Sequence, residues 1–137
     1  MEHIVRLDAW FANVLAPVKC SSIARAYVVG VLGKFKSADD DLSNESIVCA
    51  YYSARSTGDF AKFLRIGDWA LWTNIVVPES IVMHRDVIES FGRLSYYACH
   101  RMVHRSWPVY EEIADEFLRI AHNARAELLK QESHVII

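Results

Sequence analysis

The chain has 137 residues, a formal net charge of −2 and a charged fraction of 23%. That length suits one domain with a core of its own, and the near-neutral balance supplies no field that draws the whole chain to nucleic acid. Apolar residues make up 53% and aromatic residues 12%, yet no run approaches the roughly 18 uninterrupted apolar residues of a membrane span.

The first residues, Met1-Glu2-His3-Ile4-Val5-Arg6-Leu7-Asp8, carry no basic region followed by an apolar run, so no secretory leader is expected. Cys20, Cys49 and Cys99 are odd in number, form no Cys-x-x-Cys pair and sit among helical, mostly apolar neighbours. They are expected to be reduced thiols in the core of a cytoplasmic protein.

Apolar residues then recur with the three-to-four spacing of amphipathic helices. Ile4, Leu7, Phe11, Val14 and Leu15 stripe a first helix over Glu2–Leu15, ended by Pro17. Ser21 or Ser22 caps a second helix reaching Lys36, with Val28, Val31, Leu32 and Phe35 among its apolar residues. Gly30 and Gly33 within it are expected to admit another helix closely. The Val-rich run Tyr27–Val31 is the best strand candidate, but no second alternating segment exists to pair with it. Asp39-Asp40-Asp41 lies in a solvated loop. Ser43 or Asn44 caps a third helix, Glu45–Ser56, with Ile47, Ala50, Tyr51 and Ala54 inward.

The fourth helix is central. Gly58 can end the preceding helix in the left-handed conformation and Asp59 can cap the next. Phe60, Phe63, Leu64, Trp69, Leu71, Trp72, Ile75 and Val76 leave almost no polar face in its second half, and Pro78 stops it. After a short turn from Pro78 to Val82, Asp86 and Glu89 have capping-box spacing for a fifth helix, Val87–His104, where Gly92 suggests a close crossing. Ser106-Trp107-Pro108 followed by Glu111-Glu112 starts a sixth helix reaching Gln131. The tail ends in apolar Val135-Ile136-Ile137, tucked into a groove or shared with a partner. The expected fold is therefore all-α, a single-domain bundle (residues 1–137) of about six helices.

Leu64-Arg65-Ile66-Gly67-Asp68-Trp69-Ala70-Leu71, Pro78-Glu79-Ser80, Phe91-Gly92-Arg93-Leu94-Ser95-Tyr96-Tyr97 and Val109-Tyr110-Glu111-Glu112-Ile113-Ala114-Asp115-Glu116-Phe117 follow one another through the second half. Together they resemble a pattern of uncharacterised bacterial all-helical proteins. The resemblance implies a compact helical fold and brings no activity.

Asp68 is the residue most in need of explanation. A carboxylate in the buried half of a central helix must have partners. A structural reading pairs it with Arg55, Arg65 or Arg93, or with a tyrosine hydroxyl, and is preferred; a functional reading makes it a general base or metal ligand. His100 and His104, four apart on one helix, have metal-ligand spacing, with His84 and His122 as further candidates. There is no Glu-x-x-His and no His-Glu-x-x-His, so neither a metal nor any other cofactor is expected. Arg85, Arg93, Arg101 and Arg105, interleaved with Tyr96 and Tyr97, make a basic aromatic face; the preferred reading has the acidic start of the sixth helix neutralise it. No nucleophile elbow or phosphate loop appears.

The expected function is accordingly a non-enzymatic interaction module that self-associates, as a homodimer, through aromatic and apolar helix faces. A separate protein partner is a further candidate; membrane and nucleic acid are not expected partners. One alternative is a binder of a small apolar or anionic ligand, with Trp69, Trp72, Tyr96 and Tyr97 in contact and Arg93 supplying charge. A second is a metal-dependent enzyme using Asp68, His100 and His104.

Overall fold

The computed structural model describes residues 2–34, 44–77, 84–103 and 108–135, with side chains for 9–34, 47–77, 84–103 and 108–131. Among these the chain forms α1 (Glu2–Leu15), α2 (Ser22–Lys34), α3 (Asn44–Thr57), α4 (Phe60–Val76), α5 (Arg85–Met102), α6 (Val109–Asp115) and α7 (Phe117–Val135), and no strand. It is an all-α single-domain bundle of seven helices rather than six. The added boundary is at Glu116, where the backbone leaves helical geometry (φ −109°, ψ 21°) and divides the expected last helix into α6 and α7. None of its described helices is long and apolar enough to cross a membrane.

α4 is the axis of the bundle, packed against α2, α3, α5 and α7. Every residue from Ile66 to Ile75 is buried. The helix begins as its sequence implies. Gly58 adopts φ +63°, and the Asp59 carboxylate accepts from the Lys62 amide at 3.3 Å. Its far end is held by two guanidinium groups. Arg85 donates to the carbonyls of Asn74 and Val77, at 3.3 and 2.7 Å, and to Asn74 Oδ1 at 3.3 Å. Arg125 donates to the carbonyls of Ile75 and Val77, at 3.3 and 2.9 Å. These cations meet carbonyls that have no partner within the helix and the negative end of its dipole.

Two glycines set the α4–α5 crossing. A Cβ on Gly92 would stand 2.5 Å from that of Ala70, and one on Gly67 would stand 2.8 Å from the Tyr96 ring. The close crossing expected at Gly92 is present. The one expected at Gly30 is not: a Cβ there meets nothing within 4 Å, because that side of α2 faces open space.

α1 and α2 form a hairpin tied to the bundle by polar contacts. Ser21 is the cap of α2, its Oγ accepting from the Ala24 amide. Glu112 of α6 accepts from both the amide and the hydroxyl of Ser21, at 2.9 and 2.5 Å. Arg25 donates to the carbonyls of Val18 and Cys20, and Arg119 of α7 to that of Lys19.

The start of α5 departs from expectation. His84, not Asp86, is its N-cap, in the left-handed conformation and without a side-chain cap bond. The His84 carbonyl accepts from Val87 and Ile88, which places Asp86 inside the first turn. Cys99 is buried and Cys20 partly so, but Cys49 is exposed on the outer side of α3 and is no core residue. The Pro78–Val82 turn, the Ser106 cap, Asp39–Asp41, Ile136 and Ile137 lie outside the described residues.

Candidate functional site

Asp68 is 3% exposed. Its Oδ1 accepts two phenol hydroxyls, that of Tyr27 from α2 at 2.5 Å and that of Tyr96 from α5 at 2.9 Å. Its Oδ2 faces Lys34 Nζ at 3.6 Å, at the C-terminal end of α2. The partners are thus tyrosines and a lysine; none of Arg55, Arg65 and Arg93 is among the charges bound to it.

Local sequence explains how the carboxylate reaches the joint. Gly67 removes the side chain that would otherwise keep the Tyr96 ring off α4, so the ring lies over the Gly67 backbone with its hydroxyl at Asp68. Tyr27 and Lys34, seven residues apart, recur on one face of α2 after two turns. Tyr110 of α6 completes the surround. Its ring is parallel to that of Tyr96, with centroids 6.3 Å apart, and perpendicular to that of Tyr27 at 5.7 Å. Tyr27 and Tyr96 meet edge to face at 6.2 Å.

Burial raises the Asp68 carboxyl above its ordinary value near 3.8, while the hydroxyls of Tyr27 and Tyr96 and the Lys34 ammonium pull it back down. Burying an ion costs several kcal/mol, and each hydrogen bond to the carboxylate returns about 1.5–3 kcal/mol. The two are close in size, and the raised value shows that desolvation prevails. Burial, then the adjacent Asp68 charge, pushes both the Tyr27 and Tyr96 phenols well above their usual range, so both remain donors. Cys99, also near Asp68, is pushed up to about 12, chiefly by burial. A thiol held there is not an activated nucleophile.

The five residues expected to contact a ligand divide among different places. Trp69 and Trp72 are core side chains, 4% and 6% exposed, and Tyr96 is bound to Asp68. Arg93 and Tyr97 turn toward the break between α6 and α7. Arg93 Nε donates to the Ala114 carbonyl at 2.9 Å and its guanidinium pairs with Glu89 at 3.4 Å, while the Tyr97 hydroxyl donates to Asp115. His100 Nε2 lies 3.1 Å from Glu111, and His104 falls outside the described residues. Among the described residues no three His, Cys, Asp or Glu side chains gather as metal ligands. His84 and His122 are exposed. Of the acidic residues at the start of α6, Glu111 meets α5, whereas Glu112 is spent on the α2 cap.

Tyr27 and Lys34 were not singled out by sequence as partners of Asp68. The only signal for them is their shared helix face, which carries no information about a carboxylate on α4, 41 residues beyond Tyr27. Neither a family model, nor a curated protein, nor a solved structure matches the chain.

Proposed function

We propose that the protein is an interaction module that self-associates, as a homodimer, through the apolar face shared by α3 and α5. The observation that carries this reading is a contiguous aromatic and aliphatic patch facing solvent. Tyr52 of α3 is 55% exposed and Leu94 of α5 is 45% exposed. Between them lies Phe91, one turn before Leu94, with its ring centroid 6.3 Å from Tyr52 and 5.1 Å from Tyr51. Single exposed apolar residues are common on any surface, but adjacent large ones mark a contact face. The engagement of four of the polar residues considered as site candidates supports the same reading: Asp68, Arg93, Tyr96 and Tyr97 each have partners within the chain. On this reading the protein works in the cytoplasm, where Cys20, Cys49 and Cys99 stay reduced, and it belongs with the bacterial helical proteins that its motifs resemble.

Sedimentation velocity over a range of concentrations tests the reading. The wild type should sediment as a dimer, and the double variant Tyr52→Glu/Leu94→Glu as a monomer that keeps the wild-type helical circular-dichroism spectrum. A wild type that stays monomeric at every concentration sinks it, and a dimer indifferent to both substitutions sinks the assignment to this face.

A further inference from the structure

A cleft of about 450 Å³ lies between the α1–α2 turn and α7, within the roughly 300–1,000 Å³ of small-molecule sites. Pro17, Val18 and Lys19 form its wall on the turn, and α7 forms the other from Asn123 to Lys130. The turn is held from behind. Arg25 donates to the Val18 carbonyl at 2.6 Å and Arg119 to the Lys19 carbonyl at 2.5 Å, so the wall stands before anything binds.

The charges here do not cancel. Among the groups that hold the turn or line the cleft, the cations are Lys19, Arg25, Arg119 and Lys130, and the carboxylates are Glu112, Glu116 and Glu127. One positive charge is in excess. Lys130 Nζ is 3.1 Å from Glu127 Oε1, and Arg119 pairs with Glu116 at 2.7 Å. Arg25 spends its donors on the carbonyls of Val18 and Cys20. The Lys19 ammonium and the Asn123 carboxamide, both in the cleft, have no partner among the described residues. Beside them Pro17, Val18 and Ala126 present hydrocarbon.

We propose that this cleft binds a small organic monocarboxylate, its head group taken by Lys19 and Asn123 and its hydrocarbon part resting on Pro17, Val18 and Ala126. The ammonium and the carboxamide N–H₂ both donate to the carboxylate, and the ammonium makes the charge-assisted bond. Glu127, already holding Lys130, repels a second negative charge and so disfavours a dicarboxylate. The cleft shares no residue with the Tyr52–Leu94 face and does not depend on self-association.

The test is a titration of the full chain with sodium hexanoate, followed by amide NMR signals against sodium chloride at equal ionic strength. Hexanoate should shift the signals of Val18, Lys19, Asn123 and Ala126 saturably. Acetate, which lacks the hydrocarbon, and adipate, which carries a second carboxylate, should each bind several-fold more weakly. Lys19→Gln should weaken hexanoate binding several-fold. Ala126→Glu, which puts bulk and negative charge in the cleft, should abolish it. Lys62→Gln makes the same change as Lys19→Gln on α4, outside the cleft, and should leave binding unchanged. All three positions are exposed, so each variant should keep the helical circular-dichroism spectrum. A response to hexanoate no greater than that to chloride overturns the site, as does one that survives Ala126→Glu or falls as much in Lys62→Gln as in Lys19→Gln. Acetate or adipate binding as tightly as hexanoate overturns the assignment to a monocarboxylate with a hydrocarbon part.

Discussion

The ring of Tyr96 covers the bare backbone of Gly67, and its hydroxyl binds the carboxylate of the next residue, Asp68. One small residue and one acidic residue, adjacent on α4, thus receive the two ends of a single side chain from α5. A Cβ at position 67 would stand 2.8–2.9 Å from three ring carbons. Gly67→Ala must therefore move the ring and stretch its bond to Asp68. Overpacking of this kind costs about 1–3 kcal/mol, against about 1 kcal/mol that alanine returns in helix propensity. Urea denaturation should show a net loss, and a gain in stability would mean that the ring does not lie where described.

Gly92→Ala meets a different obstacle, the Cβ of Ala70 at 2.5 Å. That contact joins two helix backbones, and neither atom is on a flexible arm. The single variant should lose about 2 kcal/mol or more. Ala70→Gly, placed on the Gly92→Ala background, should recover part of the loss, which a double-mutant cycle measures as coupling. Strict additivity of the two changes would place the crossing elsewhere.

The C-terminal end of α4 depends on charge brought from distant parts of the chain. Arg125→Met keeps much of the stem but removes the donors to the Ile75 and Val77 carbonyls. The expected loss is about 2 kcal/mol, the scale of hydrogen bonds to a charged group. Amide exchange in the last turn of α4 should accelerate before the rest of the helix. Uniform acceleration along α4 would argue against a local cap.

Much of this arrangement is legible in the sequence where the controlling interactions are local. Gly58-Asp59 marks the start of α4, Pro78 marks its stop, and the apolar run between them marks it as the buried axis. Asp68 is legible as a carboxylate that must have partners, with a tyrosine hydroxyl among the options. What periodicity does not encode is which distant face supplies them, and so Tyr27 and Lys34 are found only in three dimensions. The break at Glu116 is hidden for a related reason. Val109–Phe117 contains neither Gly nor Pro, and the Ala114 carbonyl beside the break is taken up by Arg93, 21 residues earlier. At His84 the local signal misleads, because the left-handed residue that starts α5 is a histidine rather than a glycine or asparagine.

Replacement of the carboxylate separates its charge from its hydrogen bonds. Asp68→Ala leaves the Tyr27 and Tyr96 hydroxyls without their acceptor, at about 1–3 kcal/mol each, so a total loss of about 3 kcal/mol or more is expected. Asp68→Asn keeps an acceptor for both phenols and removes the desolvated charge, so it should cost far less. The pH dependence follows from the raised folded-state value. Between the unfolded and folded pKa values the folded state binds more protons, so the Asp68 contribution to stability falls as pH rises through that window. The thermal midpoint of wild type relative to that of Asp68→Asn should therefore fall as pH climbs from about 4 toward neutrality. A gap that moves the other way contradicts the burial.

The most direct test of the central arrangement is an NMR titration of the Asp68 side-chain carboxyl carbon, assigned by its absence in Asp68→Asn. A buried carboxylate whose desolvation outweighs two phenol bonds and one lysine should titrate above its ordinary value near 3.8, and the Tyr27 and Tyr96 ring signals should respond at the same midpoint. A midpoint at or below 3.8, with both rings silent, would mean that Asp68 faces water and that α2, α4 and α5 do not meet at this carboxylate.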